Sequence, residues 1–437
     1  MSPVRPDRLA HDDLKEAWRL LDTQDRVDGF RLIAPPDAQD FFMSLSAMDQ
    51  AELILAMRPN ERRLWLRLLA PDDAADVVQQ ASEEQRSELL AQLDAPTQRE
   101  VSTLMAYEED DAGGLMSPRF ARIRPEMTVD EAIVYLRRQA NQNLETIYYG
   151  YVLDRTQKLL GVVSFRDLFQ AKGVHSVREV MHGDNLITVP EDMDQEHVSA
   201  LMAAHDLVAL PVVAPDGVMK GIVTVDDIVD VVREEATEDM QKIGGTEALE
   251  APYLNVGIWQ MLRKRAGWLT VLFVAQIGTI TVMTLFRGRL NKMVALTLFI
   301  PLIISSGGNS GTQATTLVTR AMALRELRLA DWLHVLGREV RVGLGLGGLL
   351  ASFGMIAVTV WPNAAQRFGQ DYIRLGEAVA ASVVCVVLWG TLTGSMLPFV
   401  LRRVGFDPAS ASAPLVATFV DLTGLMIYFT ITGLLLG

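Results

Sequence analysis

The sequence predicts a multidomain protein with an all-α superhelical N-domain, an α/β pair of duplicated units, a linker helix and a polytopic α-helical membrane domain with five spans. Three observations predict this architecture: an uneven distribution of charge, a motif that occurs twice in the first part of the chain, and five long apolar runs in the second part. The predicted domain boundaries are 1–112, 113–233, 234–264 and 265–437.

Charge divides the 437 residues into two parts. Residues 1–250 contain 47 acidic and 25 basic residues, a net charge of −22, whereas residues 251–437 contain 7 acidic and 15 basic residues, a net charge of +8. An acidic part joined to an apolar part excludes a purely soluble enzyme, and the acidic part is a poor match for nucleic acid. The single cysteine excludes a disulfide scaffold and a multi-cysteine zinc site.

The first domain has apolar residues at helical spacing throughout. Proline or serine interrupts this pattern at positions 59, 71, 82 and 96, so the helices are short. The predicted helices are Leu45–Met57, Glu61–Leu69, Asp72–Gln80, Glu83–Leu93 and Pro96–Met105. A series of short helices of similar length predicts a superhelical array of helical hairpins.

The second domain contains an eight-residue motif twice, as Leu160–Asp167 and Lys220–Asp227. Each copy completes a predicted helix–strand–turn–strand unit and includes Gly-x-x-Ser/Thr-x-x-Asp. This duplicated unit resembles a pair of cystathionine-β-synthase (CBS) domains. The resemblance implies an adenine nucleotide such as ATP as a cofactor, with its ribose contacted by Ser164, Asp167, Thr224 and Asp227. The alternative is that each aspartate only caps the helix that follows it.

An acidic segment connects this repeat to the apolar part of the chain. Glu234–Asp239 begins a predicted helix that leads towards the basic run Arg263–Arg265. We interpret residues 234–264 as a linker helix between a sensor and a pore.

Five apolar runs are long enough to cross a bilayer, which takes about 20 helical residues. They are Trp268–Phe286, Met293–Thr319, Val342–Trp361, Ala378–Leu401 and Pro408–Gly437. Asp421 in the fifth run is their one charged residue. A charge at mid-bilayer costs about 2.5–3.5 kcal/mol on insertion scales, so such a residue faces a partner or a water-filled path. Because these runs contain no basic partner for Asp421, a metal site is favoured over a buried ion pair.

The flanking charges predict the orientation of the spans. Met1–Asp13 is polar and is no signal peptide, so we expect the N-terminal half to be cytoplasmic. With that orientation ten Lys/Arg residues flank the spans inside and five flank them outside, as the positive-inside rule requires. The sequence therefore predicts a multi-pass protein of the cell inner membrane with its C-terminus outside.

The order of domains and four further motifs resemble the MgtE family of magnesium channels over essentially the whole chain. The motifs are Ala112–Met116 before the first CBS unit, Gly307–Gln313 in span two, and Pro414–Thr418 and Asp421–Gly424 in span five. The resemblance implies a homodimer in which spans two and five of both subunits line one pore on the two-fold axis.

The same resemblance implies where ions bind. In the pore, Asp421 would bind Mg²⁺ with the Ala417 carbonyl and nearby polar groups, and we expect Asn309 to line the pore. Cytosolic magnesium would close the channel by bridging acidic residues of the CBS units and the linker helix, beside Asp407 at the inner gate. By position the bridging residues are Asp216, Asp226, Asp230, Glu247 and Glu250.

The residue types themselves suit magnesium. Mg²⁺ prefers octahedral oxygen and gives up water reluctantly, so one carboxylate per subunit among carbonyl and hydroxyl oxygens fits a partly hydrated ion. The sequence has no His or Cys cluster that would favour a softer metal. We expect Gly307–Gln313 to interrupt span two with irregular backbone that lines a cavity. We assign helix packing to the Gly343/Gly347 and Gly390/Gly394 pairs.

Three other functions compete with a magnesium channel. A secondary transporter coupled to protons or sodium predicts a second ionisable residue inside the spans. An anion channel would not place a carboxylate at its centre, and a membrane-anchored nucleotide sensor needs only one or two spans. Motifs of an enzyme are missing from the sequence: there is no phosphate loop, metalloprotease helix or nucleophile elbow.

Overall fold

The structure is a computed structural model that describes residues 11–142, 144–249, 253–254, 256–288, 294–368 and 370–436. The chain forms two compact units, Met1–Glu235 and Ala236–Gly437, called here the first and the second unit. The finer domain boundaries at residues 112, 233 and 264 stay predictions.

The described part of the first unit begins with a series of short α-helices, as the sequence predicts. They are α1 (His11–Ala17), α2 (Thr23–Leu32), α3 (Pro35–Met43), α4 (Ala47–Ala56), α5 (Pro59–Leu66), α6 (Pro71–Gln79), α7 (Glu83–Leu90) and α8 (Ala95–Leu104). Pro59 and Pro71 are the first residues of α5 and α6, where the missing N–H of proline costs no helical hydrogen bond. Three helices precede the five that the apolar spacing predicts.

Two α/β units follow, one for each copy of the repeat. Their elements are α9 (Ala112–Leu115), β1 (Phe120–Ile123), α10 (Val129–Gln139), β2 (Thr146–Leu153), β3 (Leu159–Ser164), α11 (Phe165–Gln170), α12 (Val177–Val180), β4 (Val189–Pro190), α13 (Gln195–Ala204), β5 (Ala209–Val213) and β6 (Met219–Thr224). Each unit has a three-stranded sheet whose first two strands are parallel and whose last two are antiparallel. This common topology confirms the duplicated α/β fold.

The helical domain and the second α/β unit share one hydrophobic core. Leu104 of α8 belongs to the same buried cluster as Val198 of α13 and Val223 of β6. The backbone N–H of Ala112, at the start of α9, donates to the carbonyl of Met193 at 2.7 Å and joins α9 to the second α/β unit. Within the first unit, helices of the N-domain therefore pack against the second α/β unit.

Long helices dominate the second unit. They are the end of α14 (Val225–Ile243), which has residues in both units, α15 (Ile258–Leu285), α16 (Ile300–Ala323), α17 (Trp332–Val360), α19 (Tyr372–Val404) and α20 (Ala413–Leu436). The short helix α18 (Ala364–Phe368) lies between α17 and α19 along the chain. Of the described helices, four are long and apolar enough to cross a membrane: Ile258–Leu285, Leu329–Val360, Tyr372–Val404 and Ala413–Leu436. Helix α16 is long enough, but its glycine, serine and threonine residues make it less apolar, so the count of five spans stays a prediction.

Helix α19 packs against α16, α17 and α20. Glycines bring α16 and α19 together, since a Cβ on Gly390 or Gly394 would overlap the carbonyl of Gly307 or Gly311. Ser310 and Thr391 share a buried hydrogen bond of 2.6 Å across the same contact. The predicted break at Gly307–Gln313 is therefore wrong: α16 is continuous through this segment, because close packing compensates for the low helix propensity of glycine.

Gly343 and Gly347 of α17 have the packing role that the sequence suggests. A Cβ on Gly347 would lie 2.9 Å from Val384 Cα of α19, and one on Gly343 would lie 3.2 Å from Leu388 Cα. The absence of side chains at these two positions lets α17 and α19 approach closely.

Candidate functional sites

The carboxylate of Asp421 lies between helices in the second unit. On one side is Gly308 of α16, where an added Cβ would lie 3.3 Å from Asp421 Oδ1 and 3.6 Å from Ala417 Cβ. On another side the carboxylate has the polar side chain of Gln276 of α15 as a neighbour. Asp421 is half-buried, so part of its side chain contacts protein and part remains accessible. The structure thus brings two predicted pore residues, Asp421 and Ala417, together beside a glycine.

Asn309 follows Gly308 directly and has an exposed side chain. Its amide Nδ2 donates to Ser305 Oγ at 3.2 Å, one turn earlier in α16. Its predicted role in lining the pore stays a prediction. Gln276 was missed by sequence reasoning, since an uncharged polar residue in an apolar run carries no strong signal.

Two further carboxylates lie in long apolar helices of the second unit, outside the uncharged runs of the sequence. Glu339 and Glu377 lie in α17 and α19, within about two turns of the helix starts. Both helices begin before the uncharged runs, and the two glutamates lie in these earlier residues; Glu377 is exposed. A coupled transporter requires a second ionisable residue, so these two glutamates are the residues to test for that alternative.

Asp407 precedes α20 and is paired with a lysine of α14. Lys242 Nζ lies 2.8 Å from Asp407 Oδ2 and 2.6 Å from Glu238 Oε1. Burial works to lower the pKa of Lys242, but the two carboxylates outweigh it and raise that pKa. Asp407 also accepts a hydrogen bond from the Ala409 N–H at 2.8 Å. The predicted gate residue therefore holds a cationic side chain in this structure.

The segment after Lys242 contacts the bases of α15 and α20. A Cβ on Gly245 would lie 2.9 Å from the Trp268 ring and 3.1 Å from Pro414 Cγ. Lys264 Nζ donates to the Ala248 carbonyl at 2.7 Å. Glu247 is exposed in this segment, and Glu250 lies outside the described residues.

Acidic residues of the N-domain and the CBS pair face one another in the first unit. Helix α6 contributes three aspartates to this acidic cluster, a loop contributes one glutamate, and the start of α14 contributes three aspartates. The members are Asp72, Asp73, Asp76, Glu145, Asp226, Asp227 and Asp230. Sequence reasoning identified the α14 residues and missed those of α6 and Glu145, because their burial depends on tertiary packing.

Burial and mutual repulsion raise the pKa values of this cluster. Asp72 is 6% exposed, and its Oδ1 has no hydrogen-bond partner among the described residues. Burial, followed by the charges of Glu145 and Asp227, raises its pKa well above the usual value. Burial is also the largest cause for Asp73, Asp76 and Asp227, whose pKa values rise to about 6, 8 and 7 respectively. In the described residues, burial and the neighbouring carboxylates therefore outweigh any nearby positive charge at these four aspartates.

The described residues contain no group of three or more His, Cys, Asp or Glu side chains arranged closely enough to hold a bare metal ion. Asp226 and Asp230 have exposed side chains, and Asp230 Oδ1 lies 3.6 Å from Arg233 Nη1. Asp216 is exposed in a turn, where its Oδ1 accepts from the Val218 N–H at 3.1 Å. A cation at the acidic cluster would therefore be held mainly through its own water molecules, as Mg²⁺ favours.

The two CBS motifs form the same local structure. Asp167 Oδ2 accepts from Ser164 Oγ at 2.6 Å, and Asp227 Oδ2 accepts from Thr224 Oγ1 at 2.7 Å. These contacts cap the helix that follows each motif. The structure therefore contains the capping role that was the alternative to nucleotide binding. The surroundings differ, however: His182 Nε2 lies 3.3 Å from Asp167 Oδ2, whereas Asp227 belongs to the acidic cluster.

The pKa values of the two aspartates are also shifted in opposite directions. Burial works to raise the pKa of Asp167, but hydrogen bonds from Ser164 and the neighbouring His182 outweigh it, so that pKa is lowered. Asp167 is therefore ionised at neutral pH and ready to accept hydrogen bonds from hydroxyl groups, whereas the neighbours of Asp227 would repel a phosphate.

A helix bundle with a carboxylate among apolar spans, attached to a helical domain and a CBS pair, defines a regulated membrane transporter of cations. Models of three domain families match the chain: the MgtE divalent cation transporter over residues 300–431, the MgtE intracellular N domain over 9–110, and the CBS domain over 112–173 and 177–234. The chain belongs to the MgtE family, which confirms the predicted membership and, because this is a family of transporters, the prediction that it is no enzyme.

Named relatives agree with this assignment. The magnesium transporter MgtE of Thermus thermophilus is 42% identical over 344 residues, which are 79% of this chain and 74% of the relative. The magnesium transporter MgtE of Enterococcus faecalis is 32% identical over 77% of this chain and 71% of the relative. A crystal structure of the cytosolic domain of the Mg²⁺ channel MgtE in complex with ATP is 39% identical, with a TM-score of 0.47, and covers 52% of this chain and 91% of that chain.

Proposed function

We propose that the protein is a magnesium channel whose ion site is built around Asp421. The observation that carries this proposal is a carboxylate held beside Gly308 and Ala417 within long apolar helices, in a member of a divalent cation transporter family. Two such carboxylates across the axis of a homodimer would bind a partly hydrated Mg²⁺, which needs few protein ligands. The N-terminal half would face the cytoplasm and the C-terminus would lie outside.

Flux measurements on the purified full-length chain in proteoliposomes test this proposal. We expect Mg²⁺ to enter vesicles down its own gradient, without a proton or sodium gradient. Flux that requires either gradient would instead assign the protein to the coupled divalent-cation transporters, and vesicles that pass no Mg²⁺ under any gradient would contradict both functions.

We further propose that cytosolic Mg²⁺ closes this channel through the acidic cluster of the first unit. Carboxylates of α6 and α14 repel one another when ionised, and a hydrated divalent cation between them removes that repulsion. Helix α14 has residues in both units, so a change in how its first residues pack would be transmitted along the helix to the second unit. The buried Oδ1 of Asp72, which has no hydrogen-bond partner among the residues that the structure describes, supports an ion here more strongly than the exposed Asp216 does.

ATP is proposed as a modulator that binds through Asp167 of the first CBS unit. Replacing Asp167 with alanine should weaken ATP binding to the full-length protein at least about tenfold, since hydrogen bonds to a charged group contribute about 1.5–3 kcal/mol. Isothermal calorimetry measures this, with Asp154→Ala as the control, because Asp154 lies in the turn between β2 and β3, where its Oδ1 accepts from the Thr156 N–H at 2.7 Å. Equal affinity in both variants would leave Asp167 with the capping role alone.

The Lys242–Asp407 pair should stabilise the closed channel. In Lys242→Met the apolar stem remains but both carboxylate partners lose their cation, so we expect residual flux at inhibiting Mg²⁺ to rise about two- to fivefold. The effect is limited because the pair is partly exposed to solvent. Flux at 10 mM Mg²⁺ is the measurement; Lys242→Arg should restore closure and the exposed Lys220→Met should have no effect. A rise in Lys220→Met as large as in Lys242→Met would contradict a specific pair.

A further inference from the structure

Gln276 is the polar side chain of α15 that reaches the proposed ion site. It lies in the second half of the helix, and its amide is a polar neighbour of the Asp421 carboxylate in α20. An ionised carboxylate only accepts hydrogen bonds, so the amide nitrogen of Gln276 is the group that can donate to it. The carbonyl oxygen of the same amide remains available as an acceptor, and Gln276 lines an open groove of about 950 Å³ together with Thr418.

Close packing of α15 and α20 fixes this contact. A Cβ on Gly278 would lie 3.1 Å from Leu422 Cδ1, so glycine at this position permits the approach of the two helices. Gly278 lies two residues after Gln276 and Leu422 directly follows Asp421, so the amide and the carboxylate lie at about the same level along the two helices. Gly308 borders the carboxylate on the side of α16. The side chain of Asp421 thus has an amide donor on one side and a glycine on another.

We propose that Gln276 is a positioning residue that orients the Asp421 carboxylate and favours a hydrated Mg²⁺ over Ca²⁺. The inference rests on the proposed function of Asp421 as the ion site. One carboxylate oxygen is engaged by the Gln276 amide, which leaves the other for the cation. Ca²⁺ takes six to eight oxygen ligands in flexible geometry and often uses both oxygens of a carboxylate, whereas Mg²⁺ keeps several waters. The free amide carbonyl then accepts a hydrogen bond from one of those waters.

Two substitutions of opposite character test this role in proteoliposomes of the full-length protein. Gln276→Met keeps the length of the side chain and removes the donor, so we expect the half-saturating Mg²⁺ concentration to rise about tenfold, with maximal flux nearly unchanged. Gln276→Glu adds a second carboxylate, so we expect tighter binding, a lower half-saturating concentration and a lower maximal flux, since an ion held too tightly leaves slowly. The preference for Mg²⁺ over Ca²⁺ should fall in both variants.

Thr284→Val is the matched control, because the Thr284 hydroxyl bonds the Ile280 carbonyl within α15 at 2.8 Å. Its half-saturating concentration and its Mg²⁺/Ca²⁺ ratio should equal those of the wild type. If both Gln276 variants shift the half-saturating concentration in the same direction, or lose flux while remaining monodisperse, Gln276 acts through packing and the proposal is overturned. Variants that behave like the wild type overturn it too. Wild-type vesicles that carry no Mg²⁺ would overturn the proposed function instead.

Discussion

Asp421→Asn is expected to lower Mg²⁺ flux at least about 100-fold while the protein still folds and keeps its oligomeric state. Asparagine has nearly the shape of aspartate and keeps one oxygen ligand, so the substitution isolates the charge. Two unit charges 4 Å apart attract by about 4 kcal/mol at an effective dielectric constant of 20, and Mg²⁺ carries two charges. A 100-fold loss corresponds to only about 2.8 kcal/mol, which is well within that attraction.

Glu377→Gln provides the control for this substitution. Glu377 also lies in a long helix of the second unit, but it is exposed and near the helix start. Flux of Mg²⁺ into proteoliposomes should remain at the wild-type level in this variant. Wild-type flux in Asp421→Asn would contradict the proposed ion site, and strong loss in Glu377→Gln under a pH gradient would favour a proton-coupled transporter.

The sequence predicts Asp421 because a lone charge in an apolar run is costly unless it has a function. It also predicts the short helices of the N-domain, since Pro59 and Pro71 interrupt the apolar pattern and are the first residues of α5 and α6. The duplicated CBS topology follows from the repeated motif. These signals are local or periodic in the sequence, so they can be recognised without knowledge of tertiary contacts.

Features that depend on packing could not be predicted in this way. Asp72 is one of 47 acidic residues in the first 250, and only the fold shows that it is buried with an Oδ1 that has no hydrogen-bond partner in the described part of the chain. Glycine-rich Gly307–Gln313 was expected to break a helix, whereas its glycines let α16 pack closely on α19. Gln276 acquires a role only through the contact between α15 and α20.

Neutralising the acidic cluster should abolish the dependence of the first unit on Mg²⁺. In wild-type protein at pH 8, we expect hydrogen exchange of the α6 amides to slow about tenfold between zero and 10 mM Mg²⁺. A site with a dissociation constant near 1 mM, bound only in the packed state, would provide about 1.4 kcal/mol at 10 mM. The triple variant Asp72→Asn, Asp76→Asn, Asp227→Asn removes three of the seven carboxylates, which weakens the repulsion and disrupts the proposed ion site, so its α6 amides should exchange slowly at every Mg²⁺ concentration.

Protons should act on the cluster in the same direction as Mg²⁺. A carboxyl group whose pKa is higher in the folded state stabilises that state fully below its ordinary pKa, and loses the effect as pH rises through the folded pKa. The ordinary value is 3.8, and the folded values for Asp73, Asp227 and Asp76 are about 6, 7 and 8. Without Mg²⁺, packing of α6 should therefore weaken progressively between about pH 4 and pH 8, as Asp73, Asp227 and Asp76 lose their protons. The other carboxylates that face these groups are Glu109, Glu145, Asp226, Asp230 and Glu234.

Hydrogen exchange of α6 in the full-length protein, across Mg²⁺ and pH titrations, separates this switch from general screening. The charge-matched control is Glu83→Gln, Glu84→Gln, Glu126→Gln, which removes three exposed carboxylates outside the cluster and should respond to Mg²⁺ as the wild type does. Sodium chloride at matched ionic strength should protect α6 much less than Mg²⁺, because screening by monovalent ions is no substitute for a divalent ion between carboxylates. Equal protection by both salts, or the same loss of response in both triple variants, would mean that the acidic cluster only contributes to the overall charge of the domain.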